Sequence, residues 1–164
     1  MTRVMLSPHF SLSEMTRSPN AARAGVENIP DAADVTNLTR LCIDVLEPLR
    51  TLIGRAVVVS SGYRSPAVNK LAGGSATSQH CKGEAADLEV PGIDNLALAY
   101  AIEKSSIPFD QLILEFHKVG DPASGWVHVS LKAKGNRRQV LTATTDGRAT
   151  IYMPGLPTMQ LPPR

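Results

Sequence analysis

The sequence has little of several features that would point to other classes of protein. It has only two cysteines, Cys42 and Cys81, and nothing in the sequence supports a disulfide between them. The formal net charge is +2 and the basic residues are scattered, which is too weak a signal to predict nucleic-acid binding. No stretch approaches the roughly 20 consecutive apolar residues of a membrane span. We therefore expect neither a nucleic-acid partner nor a membrane-spanning segment.

The first residues also lack the features of a secretory signal peptide. Residues 1–7 contain one basic residue, and no long apolar run precedes Pro8 and His9. We therefore expect the protein to be made in a cytoplasm without a cleaved leader.

Length and composition predict one domain. With 164 residues, of which 43% are apolar, the chain can bury a single sizeable core. We expect this domain to span residues 1–153 and to act as a monomer. Residues 154–164 contain four prolines and no periodicity, which is typical of a loose tail.

Helical and strand signals are mixed along the chain. Ser11 and Glu14 have the spacing of a capping box, and apolar residues keep helical spacing over 35–53, with Gly54 as the end cap. Pro48 predicts a kink or break in that helix near Asp44. Alternating or β-rich runs predict strands at 56–61, 85–90, 109–116 and 126–131, and a terminal hairpin after 138. The predicted fold is α+β, a small antiparallel sheet with helices packed on one side.

Two of the predicted strand regions carry metal-ligand chemistry. The first contains His80 and Asp87 within Ser78-Gln79-His80-Cys81-Lys82-Gly83-Glu84-Ala85-Ala86-Asp87, and the second contains His128 between two valines. Two imidazoles and one carboxylate are the three protein ligands that a catalytic zinc needs, with a fourth position left for water. A single histidine beside a glycine is more often a surface or core residue, but the pattern Ser-x-His-x-x-Gly-x-Ala-x-Asp is not expected by chance.

This pattern, together with Trp126-Val127-His128-Val129, resembles the zinc D-alanyl-D-alanine carboxypeptidase family, peptidase family M15, which includes phage cell-wall lysins. The resemblance runs from about residue 5 to about residue 132. It implies a hedgehog-like fold, a Zn²⁺ ion held by His80, Asp87 and His128, and hydrolysis of peptidoglycan stem peptides. For a phage lysin, it also implies synthesis in a host cytoplasm and action on the cell wall.

The resemblance assigns two substrate-binding residues. Arg64 matches the family's Gly-Tyr-Arg-Ser setting, where an arginine binds the carboxylate of the substrate through a guanidinium fork. The alternative is a surface arginine paired with a local acid. Ser78, two residues before His80, is expected to hydrogen-bond the substrate backbone, and an ordinary turn hydroxyl is its alternative.

Peptide hydrolysis also needs a general base. Many relatives carry an acid three residues before the second histidine, where this sequence has Gly125. Antiparallel pairing of 109–116 with 126–131 would set Glu115 almost opposite His128, with Cβ atoms about 5 Å apart. Glu115 is therefore the predicted base and Asp110 the second choice. His117, expected on the Glu115 face, is a candidate to steady an oxyanion, or else an exposed strand end.

Two classes of function remain open on the sequence. The first is a zinc peptidase that trims a terminal D-alanine or cuts within the stem peptide. The second is a non-catalytic zinc-containing domain that binds cell wall or protein on the same scaffold. The ligand set and Arg64 favour the enzyme, whereas the missing acid at Gly125 keeps the alternative open.

Overall fold

The computed structural model describes residues 3–159, which form one six-stranded sheet with helices. The strands are β1 (Val58–Ser61), β2 (Ala85–Glu89), β3 (Gln111–Glu115), β4 (Trp126–Ser130), β5 (Gln139–Thr145) and β6 (Thr150–Pro154). Their order across the sheet is β1-β2-β4-β3-β5-β6. The predicted α+β class is confirmed.

The sheet is mixed, not purely antiparallel as predicted. β3 and β5 run parallel, while every other neighbouring pair is antiparallel. The difference arises because β4 ends beside the start of β3 and the connection after β4 crosses that start, so that β5 begins beside Gln111 and follows the direction of β3. The predicted terminal hairpin is confirmed, since β5 and β6 are antiparallel neighbours.

The helices begin and end where the local sequence indicates. They are α1 (Leu12–Met15), α2 (Pro19–Ala24), α3 (Ala32–Leu41), α4 (Glu47–Ile53), α5 (Pro66–Leu71) and α6 (Asn95–Lys104). Ser11 and Glu14 form the predicted capping box of α1, and Gly54 ends α4 in the left-handed conformation. No helix within residues 3–159 has the length and apolar character needed to cross a membrane.

Pro48 interrupts the long helical run. A π-helical turn, Cys42–Leu46, separates α3 from α4. A proline lacks the N–H that would bond one turn back, and its ring crowds the carbonyl there, which belongs to Asp44. A wider π turn accommodates the lost bond. The predicted kink or break near Asp44 corresponds to this π turn, across which the backbone remains helical.

The two faces of the sheet have different roles. Residues on one face are fully buried and join the core formed by α3, α4 and α6; they include Leu88, Leu112, Leu114, Val127 and Val129. Each such side chain contributes roughly 1.5–3 kcal/mol by leaving water. Because side chains alternate along a strand, the residues between them point to the other face, which carries the polar groups described below.

The segment that begins at Pro154 continues from the sheet. Pro154 is the last residue of β6, an edge strand where the missing N–H is tolerated. The backbone N–H of Gly155 donates to Val140 at 2.9 Å, and the Tyr100 hydroxyl donates to the Pro157 carbonyl at 2.9 Å. The predicted boundary at 153/154 thus falls within β6, and residues 160–164 of the predicted tail lie outside the described residues.

Candidate metal centre and active site

His80, Asp87 and His128 converge on the free face of the sheet. Asp87 on β2 and His128 on β4 are directly opposite each other, and His80 lies on a 3₁₀ helix, Gln79–Lys82, just before β2. The Oδ1 atom of Asp87 is 3.1 Å from His128 Nδ1 and 3.2 Å from His80 Nε2. The two imidazole nitrogens are 3.2 Å apart, and all three side chains are buried.

The local sequence explains how His80 reaches Asp87. The Ser78 hydroxyl caps the 3₁₀ helix by accepting a hydrogen bond from the His80 backbone N–H at 3.3 Å. Gly83 ends this helix with a φ of 64°, and a Cβ atom there would overlap the backbone carbonyl of Asp34. Only glycine fits this turn without strain, and the turn leads the chain directly into β2.

A hydrogen bond fixes the tautomer of His80. Its Nδ1 lies 2.6 Å from the carbonyl oxygen of Gly62, which can only accept, so Nδ1 carries the proton. The lone pair of Nε2 then faces Asp87 and His128. Metal-ligating histidines are commonly oriented by such a bond. The three donor atoms fit a divalent zinc ion in type, number and spacing.

Arg64 holds the second oxygen of Asp87. Its Nη2 donates to Asp87 Oδ2 at 2.6 Å, and its Nε donates to Ser61 Oγ at 2.8 Å. Burial alone would raise the pKa of Asp87, but His80 and His128 hold it well below its usual range. Asp87 therefore stays ionised, with Oδ1 directed at the histidines and Oδ2 at Arg64.

Glu115 lies on the same face as this cluster, in a register that differs from the predicted one. Ile113 is opposite His128, and Glu115 is opposite Trp126, two residues further along. The Glu115 Oε1 atom is nevertheless 3.9 Å from His128 Nδ1. Burial raises the pKa of Glu115, and the nearby charge of Asp87 adds to this, against the opposing effect of His128 and Arg64.

Gly125 has a steric reason for being glycine. Its φ is +65°, and a Cβ atom there would overlap the carbonyl oxygen of Glu115 and lie 2.7 Å from the backbone nitrogen of His117. The backbone of this turn thus presses against the end of β3. An acid cannot occupy the position three residues before His128 in this backbone.

We expect Gly125→Ala to destabilise the protein by clearly more than Gly120→Ala. Gly120 lies in the same loop at a φ of +86° with nothing within 4 Å of the added Cβ, so it reports the conformational cost alone, about 1–3 kcal/mol. Gly125→Ala adds the overlap with Glu115. Thermal melting of the two variants measures the difference, and equal losses would show that the turn relaxes without strain.

Asp110 and His117 make other contacts. Asp110 is fully buried and accepts from Arg137 Nη2 at 2.6 Å, with Lys132 Nζ at 3.1 Å. These cations hold its pKa well below the usual range against the effect of burial. His117 follows Phe116, whose φ of 55° ends the strand alternation, and its Nε2 lies 3.9 Å from Asp94 at the start of α6. The structure does not bring either side chain to the cluster.

The cluster lies in an open cavity of about 830 Å³. Arg64, Ser78 and Glu115, all predicted from the sequence, line it. It is also lined by residues that sequence reasoning missed, among them Tyr152, Lys132 and Arg137. For Tyr152 a signal existed, because Thr150 and Tyr152 alternate with Ile151 and so share one face of a strand.

The buried His-Asp-His cluster in an open cavity defines a candidate metal centre. The sequence model of one family, described as Peptidase M15, matches residues 8–130, and the chain belongs to that family. It is therefore a peptidase, and the resemblance seen in its motifs is confirmed. No individually curated protein matches the chain.

Proposed function

We propose that the protein is a zinc-dependent peptidase that hydrolyses peptide bonds in peptidoglycan stem peptides, as a D-Ala-D-Ala carboxypeptidase or an endolysin-type endopeptidase. The observation that carries the proposal is the convergence of His80, Asp87 and His128 in an open cavity, with Glu115 beside them. Phage-derived lysis, with synthesis in a host cytoplasm and action on the cell wall, is the setting we propose.

His80 Nε2, Asp87 Oδ1 and His128 Nδ1 would hold the zinc ion. When bound, zinc supplies a Lewis acid for the scissile carbonyl and lowers the pKa of water. The chain contributes the orientation of the ligands. The Gly62 carbonyl fixes the His80 ring, and Arg64 fixes the Asp87 carboxylate, as outer contacts of a metal site commonly do.

Glu115 is our general base. It accepts the proton of the attacking water and passes it to the leaving amine. Its position 3.9 Å from His128 supports this role. Its raised pKa supports it as well, because a base that later acts as an acid works best when its pKa lies near the working pH. Asp110 is a poorer candidate, since its oxygens are taken by Arg137 and Lys132.

Three other predicted residues have unequal support. Ser78 lines the cavity beside His80 and keeps its proposed contact with the substrate backbone. Arg64 also lines the cavity, but its Nε and Nη2 atoms are engaged, so its main proposed role is to position Asp87. His117 faces Asp94 and Ser124, and we therefore propose no contact between it and the oxyanion.

We expect Arg64→Lys to weaken zinc binding by about 10–100-fold, the usual effect of removing an outer contact of a metal ligand. Lysine keeps the charge but loses the fork that joins Asp87 to Ser61. Titration against a chelator of known affinity measures the change. Arg55→Lys, at an exposed arginine that donates to Pro91, is the control. Unchanged zinc affinity with a selective loss for peptides ending in a free acid would instead make Arg64 the reader of the substrate carboxylate.

The test of the function is digestion of purified peptidoglycan by the zinc-loaded protein, with and without chelator. Mass analysis of the released peptides should show cleavage products that depend on zinc, and their ends identify the bond. No release under any condition would favour the non-catalytic binding domain. The structure weakens the main argument for that alternative, because sterics explain the missing acid at Gly125.

A further inference from the structure

The cavity that contains the metal cluster continues to a second group of charged residues. Lys132 lies two residues beyond the end of β4 and four residues after His128, so at about 3.3 Å per residue their Cα atoms are at most roughly 13 Å apart. Lys132, Arg137 and Asp110 all line the cavity. The same open space therefore connects the metal cluster to a second charged site.

Asp110 organises this second site. Its carboxylate is fully buried and accepts from three atoms of Arg137: the backbone nitrogen and Nε, both at 3.0 Å, and Nη2 at 2.6 Å. Lys132 Nζ lies 3.1 Å away. Two cations therefore share one carboxylate, and the group has a surplus charge of one.

The surplus charge is directed toward solvent. Asp110 has no exposed side-chain surface, whereas the Arg137 and Lys132 side chains are 51% and 32% exposed. Among the contacts of the described residues, Nη1 of Arg137 has no hydrogen-bond partner. The neighbouring wall adds Lys82 and Glu84, one charge of each sign, so the surplus remains positive.

An ion pair that only fastens the loop after β4 would need one cation, and Arg137 alone already fills that role with three bonds. Lys132 adds a second cation to a carboxylate whose charge Arg137 already balances. Both side chains are held in place before any ligand arrives, which lowers the entropy cost of binding one. Such a guanidinium and ammonium pair recognises anionic groups such as carboxylates and phosphates, and carboxylates are the anionic groups that the proposed peptide substrates carry.

We propose that Lys132 and Arg137 form a subsite for a carboxylate of the peptide substrate, with Asp110 as its positioning residue. This inference rests on the proposed function and deepens it. An extended peptide spans at most about 3.3–3.6 Å per residue, so the carboxylate recognised lies within about four residues of the bond at the metal cluster. It belongs either to an acidic residue within the peptide or to a free C-terminus.

The test uses synthetic stem peptides in which one carboxylate at a time is replaced by a carboxamide, including the C-terminal one. Dissociation constants are measured by calorimetry on the zinc-loaded full chain carrying Glu115→Gln, and kcat/KM is measured on the chain with Glu115 intact. One particular carboxylate should improve binding by about ten- to a hundredfold over its amide, as a charge-assisted contact worth about 1.5–3 kcal/mol does. Which peptide shows the effect distinguishes an internal acid from a terminus.

Lys132→Gln should remove most of that preference, and Lys132→Gln combined with Arg137→Gln should remove all of it, with zinc content unchanged. Lys134→Gln is the matched control, since Lys134 lies in the same loop but does not line the cavity. Because Arg137 also holds Asp110, the double variant is first checked by thermal melting. If it does not fold, Lys132→Gln decides, since Asp110 there keeps its three bonds to Arg137.

Two results would overturn the subsite. One is that the chain with Lys132 and Arg137 intact binds each peptide as tightly as its carboxamide counterpart. The other is a preference that survives in Lys132→Gln at the level of Lys134→Gln. The two proposals can also fail separately. If Lys132→Gln loses the preference for the carboxylate, but the chain with Glu115 intact cleaves none of the peptides, the subsite is supported and the proposed peptidase activity is contradicted.

Discussion

Replacing Glu115 with glutamine should lower kcat by about 10²–10⁴-fold, the usual contribution of a general base. Glutamine keeps the shape of the side chain and its place opposite Trp126 but cannot accept the proton. Because Glu115 is not one of the three converging ligand residues, the zinc content should remain at one ion per chain. Single-turnover rates and elemental analysis of the same preparation measure both quantities.

Glu84→Gln is the matched control for this prediction, because Glu84 is a carboxylate that lines the same cavity and accepts from Gln79. Its kcat should stay within a few-fold of wild type. Asp110→Asn should act mainly on KM and on the melting temperature, since it removes a buried carboxylate from two cations. A large fall in kcat for Asp110→Asn, with Glu115→Gln near wild type, would reverse the assignment of the base.

The same residue should shape the pH profile. The pKa of Glu115 is raised, so its active, ionised form is lost at a higher pH than for an ordinary glutamate. We expect kcat/KM to be full above this pKa and to fall as the pH drops through it. The residual kcat/KM of Glu115→Gln should not show this fall at low pH. If the same fall persists in the variant, another group is responsible for it.

His128→Ala should abolish both zinc binding and activity. The substitution removes one of three ligands and leaves His80 and Asp87 with two open positions, which is too few donors for a zinc site of this type. Elemental analysis of protein purified without affinity metals should give one zinc per chain for the wild type and close to none for the variant. Removing zinc with a chelator should likewise abolish the rate, and adding zinc should restore it.

His9→Ala is the control for this second prediction. His9 pairs with Glu47 on the opposite part of the molecule, and its side chain is about half exposed, so its loss should leave the zinc content unchanged. Zinc near zero in the wild type, or undiminished in His128→Ala, would contradict the assignment of the metal centre. Bound zinc should also raise the melting temperature, because a ligand that binds only the folded state stabilises it.

The ligand residues could be predicted from the sequence because short-range rules place them. A glycine turn joins His80 to the strand that carries Asp87, and strict alternation directs His128 away from its valine neighbours. The prediction that Glu115 shares their face depended on the same alternation. The register of β3 against β4 could not be predicted in the same way, because the backbone of the loop between these strands sets it. Nothing in the sequence signals the positive φ of Phe116 in that loop.

The second charged site could not be predicted for a different reason. Asp110, Lys132 and Arg137 are brought together by the loop that crosses the start of β3 and by the parallel pairing of β3 with β5. No local pattern encodes that crossover, so tertiary contacts alone reveal it. The sequence therefore offered Asp110 as the second choice of general base, whereas the structure shows its charge already paired.

The close contact between Gly125 and the Glu115 carbonyl also restricts how such a peptidase can evolve. A base on β3 and a base three residues before the second histidine are alternatives, because the turn that supports the first leaves no room for a side chain at the second. No single substitution converts one arrangement into the other, since the loop must first change its path. Descendants of this chain that keep this loop path therefore have room for the proposed base only at the strand position.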